Sequence, residues 1–403
     1  MKPLLFLSQR IPYPPNKGDK LRAFAILRHL SQTWRVHLGC FVDDPYDWRY
    51  VDDLRPFCAD IRCVGLDKRW ATLRSARGLV GGRSLSEYYF RSAELKKWVG
   101  GVLAEHRPEA AFLYSSVMGQ YIPAHSPLRP QRVVMDFVDV DSVKWGQYAE
   151  MHRGPMGWIY RRESRRLLDF DAEVARRADA NIFVSAPEAD LFRSLAPDVG
   201  SKVHAISNGI DHGYFTPDPA TPSPFATGER PIVMTGAMDY WPNIDAALWF
   251  ASEMLPAIRQ RVPSATFAIV GGNPSPEVRR LADMPGVAVT GRVPDVRPYI
   301  LHAELVVAPL RVARGIQNKV LEGMSMGKAV VTTSEGLTGI DAVPSRDVLV
   351  ADTPQGFVDI SVDMLNGAKG NGIGGAARQL ILRNYDWQDK LAQYDRLLAG
   401  SPS

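Results

Sequence analysis

Lys319 and Glu322 are the two side chains whose types and spacing most directly suggest chemistry. They stand three residues apart in Arg314-Gly-Ile-Gln-Asn-Lys-Val-Leu-Glu322, between apolar runs at 303–310 and 329–333 that read as strands. The intervening segment reads as a loop followed by a helix, with both residues in its first turns. A helix that opens at the carboxyl end of a strand offers amide N–H groups and positive dipole character to an anion. Lys319 adds a full charge at that point, and Glu322 falls on the same face one turn later. A cation and a carboxylate so placed suit a phosphorylated sugar, one holding the phosphate and the other accepting hydrogen bonds from hydroxyls. The plainer alternative is an ordinary surface ion pair.

Other positions carry weaker signals. Gly18 precedes a helical pattern, where the backbone can approach a ligand, or it is a turn glycine ahead of an Asp19 cap. The run Asp136-Phe-Val-Asp139-Val-Asp141-Ser142 closes an apolar stretch with three acids. Asp136 or Asp139 would act as a base on, or would orient, an acceptor hydroxyl, whereas Asp141 and Ser142 read as caps of the next helix. Three aspartates without a histidine or further carboxylate at suitable spacing do not suggest a metal site. Asn208-Gly209 is explained as a turn. Gly291-Arg292-Val293-Pro294 follows another strand, and its loop either contacts a base, with Arg292 reaching phosphate or ring, or is a plain turn with a solvated arginine.

These residues need a frame, and the pattern of the chain supplies one. Candidate strands fall at 4–7, 36–41, 110–114, 133–137, 180–184 and 203–206. A second set follows at 232–235, 266–270, 287–290, 305–308, 329–332 and 348–350, with helical patterns between, for example at 21–30, 158–178, 246–261 and 320–326. Near-continuous Val, Ile, Leu and Ala runs alternating with helices predict an α/β fold of parallel sheets buried on both faces. Four prolines within 214–225 exclude helix interior and central strand, so an extended linker is expected there. The expected division is 1–210, a linker at 211–229, 230–380, and a C-terminal helix within 381–403 that crosses back to the first domain. Two doubly wound, Rossmann-like domains facing across a cleft follow, with ligands at the carboxyl ends of strands.

Composition narrows the class. The chain has 403 residues, 45% hydrophobic and 23% charged, with a net charge of +4, all ordinary for a globular protein. No apolar run is long enough to span a bilayer, and the first residues lack the apolar core of a signal peptide, so a cytoplasmic location is expected. Cys40, Cys58 and Cys63 form no CxxC pair, so neither a disulfide framework nor a zinc site is expected. Arg161, Arg162, Arg165, Arg166, Arg176 and Arg177 crowd one segment, and Lys68, Arg69, Trp70, Arg74 and Arg77 another. Contact with anionic lipid at the inner membrane, or with an acidic substrate, is one reading of these clusters. The preferred one is a solvated helix face countered by Glu163, Asp169, Asp171 and Glu173. Nothing in the spacing points to nucleic acid.

Taken in order, these pieces resemble the large family-4 retaining glycosyltransferases of GT-B fold. The likeness runs through Gly18, Ser207-Asn-Gly-Ile-Asp211, the strand ending at Gly236, Gly291-Arg-Val-Pro-Asp-Val296, Leu321-Glu322-Gly-Met-Ser-Met-Gly327 and Tyr385-Asp-Trp387. Gln9-Arg-Ile-Pro-Tyr-Pro-Pro and Thr235-Gly-Ala-Met-Asp-Tyr-Trp-Pro-Asn243 are similar to the sugar transferases of PEP-CTERM/exosortase clusters. The resemblance implies a nucleotide-diphosphate-sugar donor, a glycan or lipid-linked acceptor on the first domain, and neither metal nor other cofactor. It implies donor contacts from Gly18, Gly236, Arg292, Val293, Arg314, Gln317, Asn318 and Val320, with Lys319, Glu322 and Asp139 at the reaction. Glu322 matches the second glutamate of the family's Glu-x7-Glu motif, and Arg314 stands in place of the first. With the family's early Arg and Lys missing from 237–243, Lys319, helped by Arg311 or Arg314, is the expected diphosphate charge. The rival readings are another GT-B enzyme, such as an epimerase, and a non-catalytic two-lobed sugar- or nucleotide-binding protein.

Overall fold

A computed structural model describes residues 1–15, 18–152, 154–313, 315–367 and 372–400. It divides into two compact units, Met1–Ser207 with Lys390–Ser403, and Asn208–Asp389. The first is built on β1 (Lys2–Ser8), β2 (Trp34–Val42), β3 (Asp60–Gly65), β4 (Ala110–Tyr114), β5 (Arg132–Val138), β6 (Ala180–Phe183) and β7 (Val203–Ala205). These strands are parallel, in the order β3-β2-β1-β4-β5-β6-β7. The order reverses between β1 and β4, the switch point at which such sheets open a crevice beyond their strand ends. Every residue of β4 is buried, as helices on both faces require.

The second unit repeats the scheme with β8 (Arg230–Thr235), β9 (Ala265–Val270), β10 (Val287–Gly291), β11 (Leu305–Ala308), β12 (Val330–Thr332) and β13 (Leu349–Val350). They too are parallel, in the order β10-β9-β8-β11-β12-β13. Both units are the doubly wound α/β sheets expected.

Three differences have physical causes. β3 escapes the sequence pattern because it is an edge strand, paired only with β2, and its Asp60-Ile-Arg-Cys-Val-Gly65 is too polar to read as a buried run. The helix expected at 246–261 is interrupted by a π turn at Phe250–Met254 just before Pro256, whose missing N–H the wider turn accommodates. Neither Asp141 nor Ser142 caps the helix Asp141–Met151. Asp141 pairs with Lys144 at 2.8 Å, Ser142 is buried, and Val140 at the cap donates its N–H to Glu188 at 2.7 Å.

The proline-rich stretch lies in the second unit and is tied to it. Ser325 Oγ donates to the Phe215 carbonyl at 2.8 Å, and Arg378 donates to the Thr216 hydroxyl at 2.9 Å. The last helix, Trp387–Ala399, starts in the second unit and ends in the first. There Tyr394 donates its hydroxyl to Asp136 at 3.0 Å, and Arg132 Nε donates to the Leu397 carbonyl at 2.7 Å.

Asp136 is therefore a structural carboxylate and not an acid–base candidate. It is fully buried and accepts from Arg22 Nε at 3.0 Å, from Tyr394 and from the Val138 N–H at 3.0 Å. Burial works against the charge on Arg22, but the Asp136 carboxylate outweighs it and raises the pKa.

Candidate active site

The sequence between β11 and β12 places the helix Asn318–Ser325 at the carboxyl end of the second sheet. Its apolar residues, Val320, Leu321 and Met324, are buried, which turns Lys319 and Glu322 toward the strand ends. Lys319 Nζ donates to Asn243 Oδ1 at 2.9 Å. Asn243 is itself buried on the helix Trp241–Trp249 and donates from Nδ2 to the Ala237 carbonyl at 2.9 Å. One amide thus joins the loop after β8 to the lysine. Gly236 is required in that loop: its φ is 153°, and a Cβ there would meet Asn243 Nδ2 at 2.8 Å and Lys319 Cε at 3.4 Å.

Electrostatics separate this pair from a surface salt bridge. Burial lowers the Lys319 pKa to about 8, the Glu322 charge acting the other way. Burial likewise raises the Glu322 carboxyl to about 7, against the pull of Lys319. The two charges share a poorly hydrated recess, where an anionic ligand would interact strongly with Lys319. Among the described residues, no group of three or more His, Cys, Asp or Glu gathers to hold a metal.

The remaining expected donor residues fall out as follows. Asn318 opens the helix, and its Oδ1 accepts from Asn208 Nδ2 at 3.1 Å, so the asparagine read as a turn residue fixes the start of the site helix. Gln317 is the N-cap, with its Oε1 at 3.5 Å from Lys319 Nζ. Arg292 and Val293 follow β10, Arg292 lying beside Gly272 in the loop after β9. Val320 has a fully buried side chain, and its N–H donates to the Gln317 carbonyl at 2.9 Å, within the first turn of the helix. Arg311 is committed elsewhere, held by both Asp245 oxygens and stacked 5.0 Å from the Trp249 ring. Arg314 lies outside the described residues.

Gly18 and Asp139 belong to the first unit. Gly18 is exposed and opens the helix Gly18–Leu30. Asp139 follows β5, accepts from Lys144 Nζ at 2.9 Å and leaves its buried Oδ1 without a partner. The chain around it is strained: Val138 has φ 71° and Ser115, after the neighbouring β4, has φ 75°. A β-branched residue held there is a true outlier, and such strain concentrates at functional sites.

Sequence reasoning missed Asn243 as a support of Lys319, and it missed Gly271. A Cβ on Gly271 would sit 1.7 Å from the Gly236 carbonyl oxygen, because the loops after β8 and β9 pack backbone to backbone. The glycine doublet Gly271-Gly272 after an apolar run was the available signal.

With this geometry in hand, comparison with known proteins defines the class. Residues 229–366 match the family model described as glycosyl transferases group 1. The GDP-mannose-dependent alpha-(1-6)-phosphatidylinositol monomannoside mannosyltransferase of Mycolicibacterium smegmatis is 27% identical over 278 residues, covering 62% of this chain and 69% of that protein. Among solved structures, sucrose-phosphate synthase from Thermosynechococcus elongatus aligns with a TM-score of 0.72 at 17% identity, covering 100% of both chains. Anabaena HepE in complex with UDP aligns with a TM-score of 0.70 at 16% identity, covering 99% of this chain and 100% of that one. The fold is GT-B, and the chain is a glycosyltransferase.

Proposed function

We propose that this glycosyltransferase moves a sugar, with retention of anomeric configuration, from a nucleotide-diphosphate-sugar to a glycan or lipid-linked acceptor. We place it on the cytoplasmic side in exopolysaccharide or related surface-glycan synthesis, within family 4 and of the PEP-CTERM/exosortase-associated kind. The observation that carries the reading is the half-buried Lys319, held by Asn243 at a helix opening with Glu322 one turn on. A diphosphate leaving group develops negative charge, and a pre-placed, poorly hydrated ammonium stabilises that charge without reorganising. Glu322 accepts hydrogen bonds from ribose or sugar hydroxyls, Arg292 and Val293 lie toward the base, and Arg314 pairs with an anionic part of donor or acceptor. Asp139 orients the acceptor hydroxyl. Lys319 and the helix dipole take the part a metal would otherwise play, so no cofactor is required. The UDP bound by HepE and the donor named for the mycobacterial relative support a nucleotide-sugar. The phosphatidylinositol mannoside in that relative's name supports a lipid-linked acceptor.

The test is turnover by purified Lys319→Ala and Glu322→Ala, with donors chosen by a thermal-shift screen of UDP-, GDP- and ADP-sugars. Both variants should keep the fold and lose most activity. Near-normal turnover in either refutes the assignment.

A further inference from the structure

In the first unit, the helix Lys68–Ser75 buries Ala71 and points its large apolar residues outward. Trp70 is 70% exposed and Leu73 is 64% exposed. At helical spacing they share a face with Arg69, and exposed Lys68 and Arg77 flank them. The long helix Pro155–Arg177 repeats the arrangement, with Met156 46% and Trp158 54% exposed, followed by exposed Arg161 and Arg165. Arg162 ties the two together by donating to the carbonyls of Gly78 and Arg83, so Arg77 and the start of the long helix lie on one side of the unit.

Two of the four acids expected to counter this charge are turned inward. Glu163 is fully buried and accepts from Ser84 Oγ at 2.7 Å, the Leu85 N–H at 2.6 Å, the Ser86 N–H at 2.9 Å and Ser86 Oγ at 2.8 Å. Asp171 is buried as well. Asp67 is occupied in capping the amides of Arg69 and Trp70 at 2.9 and 3.2 Å. Among the described residues, Arg69, Arg77, Arg161 and Arg165 have no carboxylate partner. The expected solvated face countered by its own acids therefore holds in part: Asp169 and Glu173 pair with Arg166 and Arg177, whereas Glu163 and Asp171 are buried and the outward-facing tryptophans stay beside arginines without a carboxylate partner.

We propose that this face docks on an anionic lipid bilayer, with Trp70, Leu73, Met156 and Trp158 entering the headgroup–acyl boundary and Arg69, Arg77, Arg161 and Arg165 meeting lipid phosphates. Tryptophan with an apolar body and polar tip favours that boundary, and each arginine gains from the negative surface potential. Leucine and methionine among the tryptophans suit acyl chains and gain nothing from a nucleic-acid backbone. Among the described residues, no helix is long and apolar enough to cross a membrane, so the attachment is peripheral. The surface stands on its own residues and not on the assigned chemistry, so loss of turnover in the Lys319 variant leaves it intact.

The experiment is vesicle flotation of the full chain. Wild type should bind phosphatidylglycerol vesicles, leave them as salt rises and ignore phosphatidylcholine vesicles. Trp70→Ala/Leu73→Ala and Arg161→Glu/Arg165→Glu, with unchanged thermal midpoints and donor-induced shifts, should each lose on the order of tenfold or more in partitioning. No binding of wild type to phosphatidylglycerol overturns the proposal. So does unchanged binding by both variants, or self-association through the face without vesicle binding.

Discussion

Replacing Glu322 by glutamine should stabilise the free protein while weakening the proposed donor site. The carboxyl is raised from 4.5 to about 7, chiefly by burial, and Lys319 is lowered from 10.5 to about 8 by the same cause. Between those values both groups are charged in a recess that favours neither charge. Each unit separating folded from unfolded pKa is worth about 1.4 kcal/mol, so at a pH of about 7.5 the ionised carboxylate costs on the order of 3 kcal/mol. Glutamine has the same shape and no charge. Removing the carboxylate also removes the partner that holds Lys319 up, so the lysine gives up its proton more readily, at a cost of its own. The net gain is therefore about 1–3 kcal/mol, or about 2–4 °C of Tm per kcal/mol for a unit of this size.

The sign sets the pH window. A raised carboxyl pKa means the native state holds the proton more tightly than the unfolded chain does. Its contribution to stability is fully present below 4.5 and is lost as pH rises toward about 7. The variant and wild type should thus unfold together near pH 4.5, and the variant should gain steadily up to pH 7. For Lys319 the lowered pKa works in the opposite direction, stability recovering as pH rises from about 8 toward 10.5. Thermal melts across this range, with and without nucleotide-sugar, measure both effects. A variant less stable than wild type at pH 7, or a difference independent of pH, would refute a poorly hydrated, charge-strained pair.

Two further outcomes are expected. Gly271→Ala places a Cβ against the Gly236 backbone at 1.7 Å, so Tm should fall by the equivalent of about 1–3 kcal/mol or more and donor binding should weaken with it. Arg22→Met leaves Asp136 buried without its cation, which costs about 3–5 kcal/mol, and adding Asp136→Asn should recover part of that loss in urea unfolding.

How far the sequence could go depended on the range of each interaction. Twelve of the strands announce themselves because burial on both faces writes a local apolar run, and Lys319 and Glu322 are legible because helix geometry makes residues three apart neighbours. Those signals lie within one turn or one strand. The hydrogen bond from Lys319 to Asn243 spans 76 positions, and the one from Tyr394 to Asp136 spans 258, so no local pattern records either. Only folding decided that Asp136 would be a sealed structural charge while Asp139, three residues on, kept an unspent oxygen. Folding also turned Glu163 inward to four hydrogen bonds and left Arg161 and Arg165 facing solvent. Composition counts charges, but it does not say which of them can reach one another. The sequence by itself determined two parallel α/β sheets and a cation–carboxylate pair at a helix opening. The tertiary structure decided that this pair is desolvated and braced, because burial and long-range partners exist only once distant segments meet.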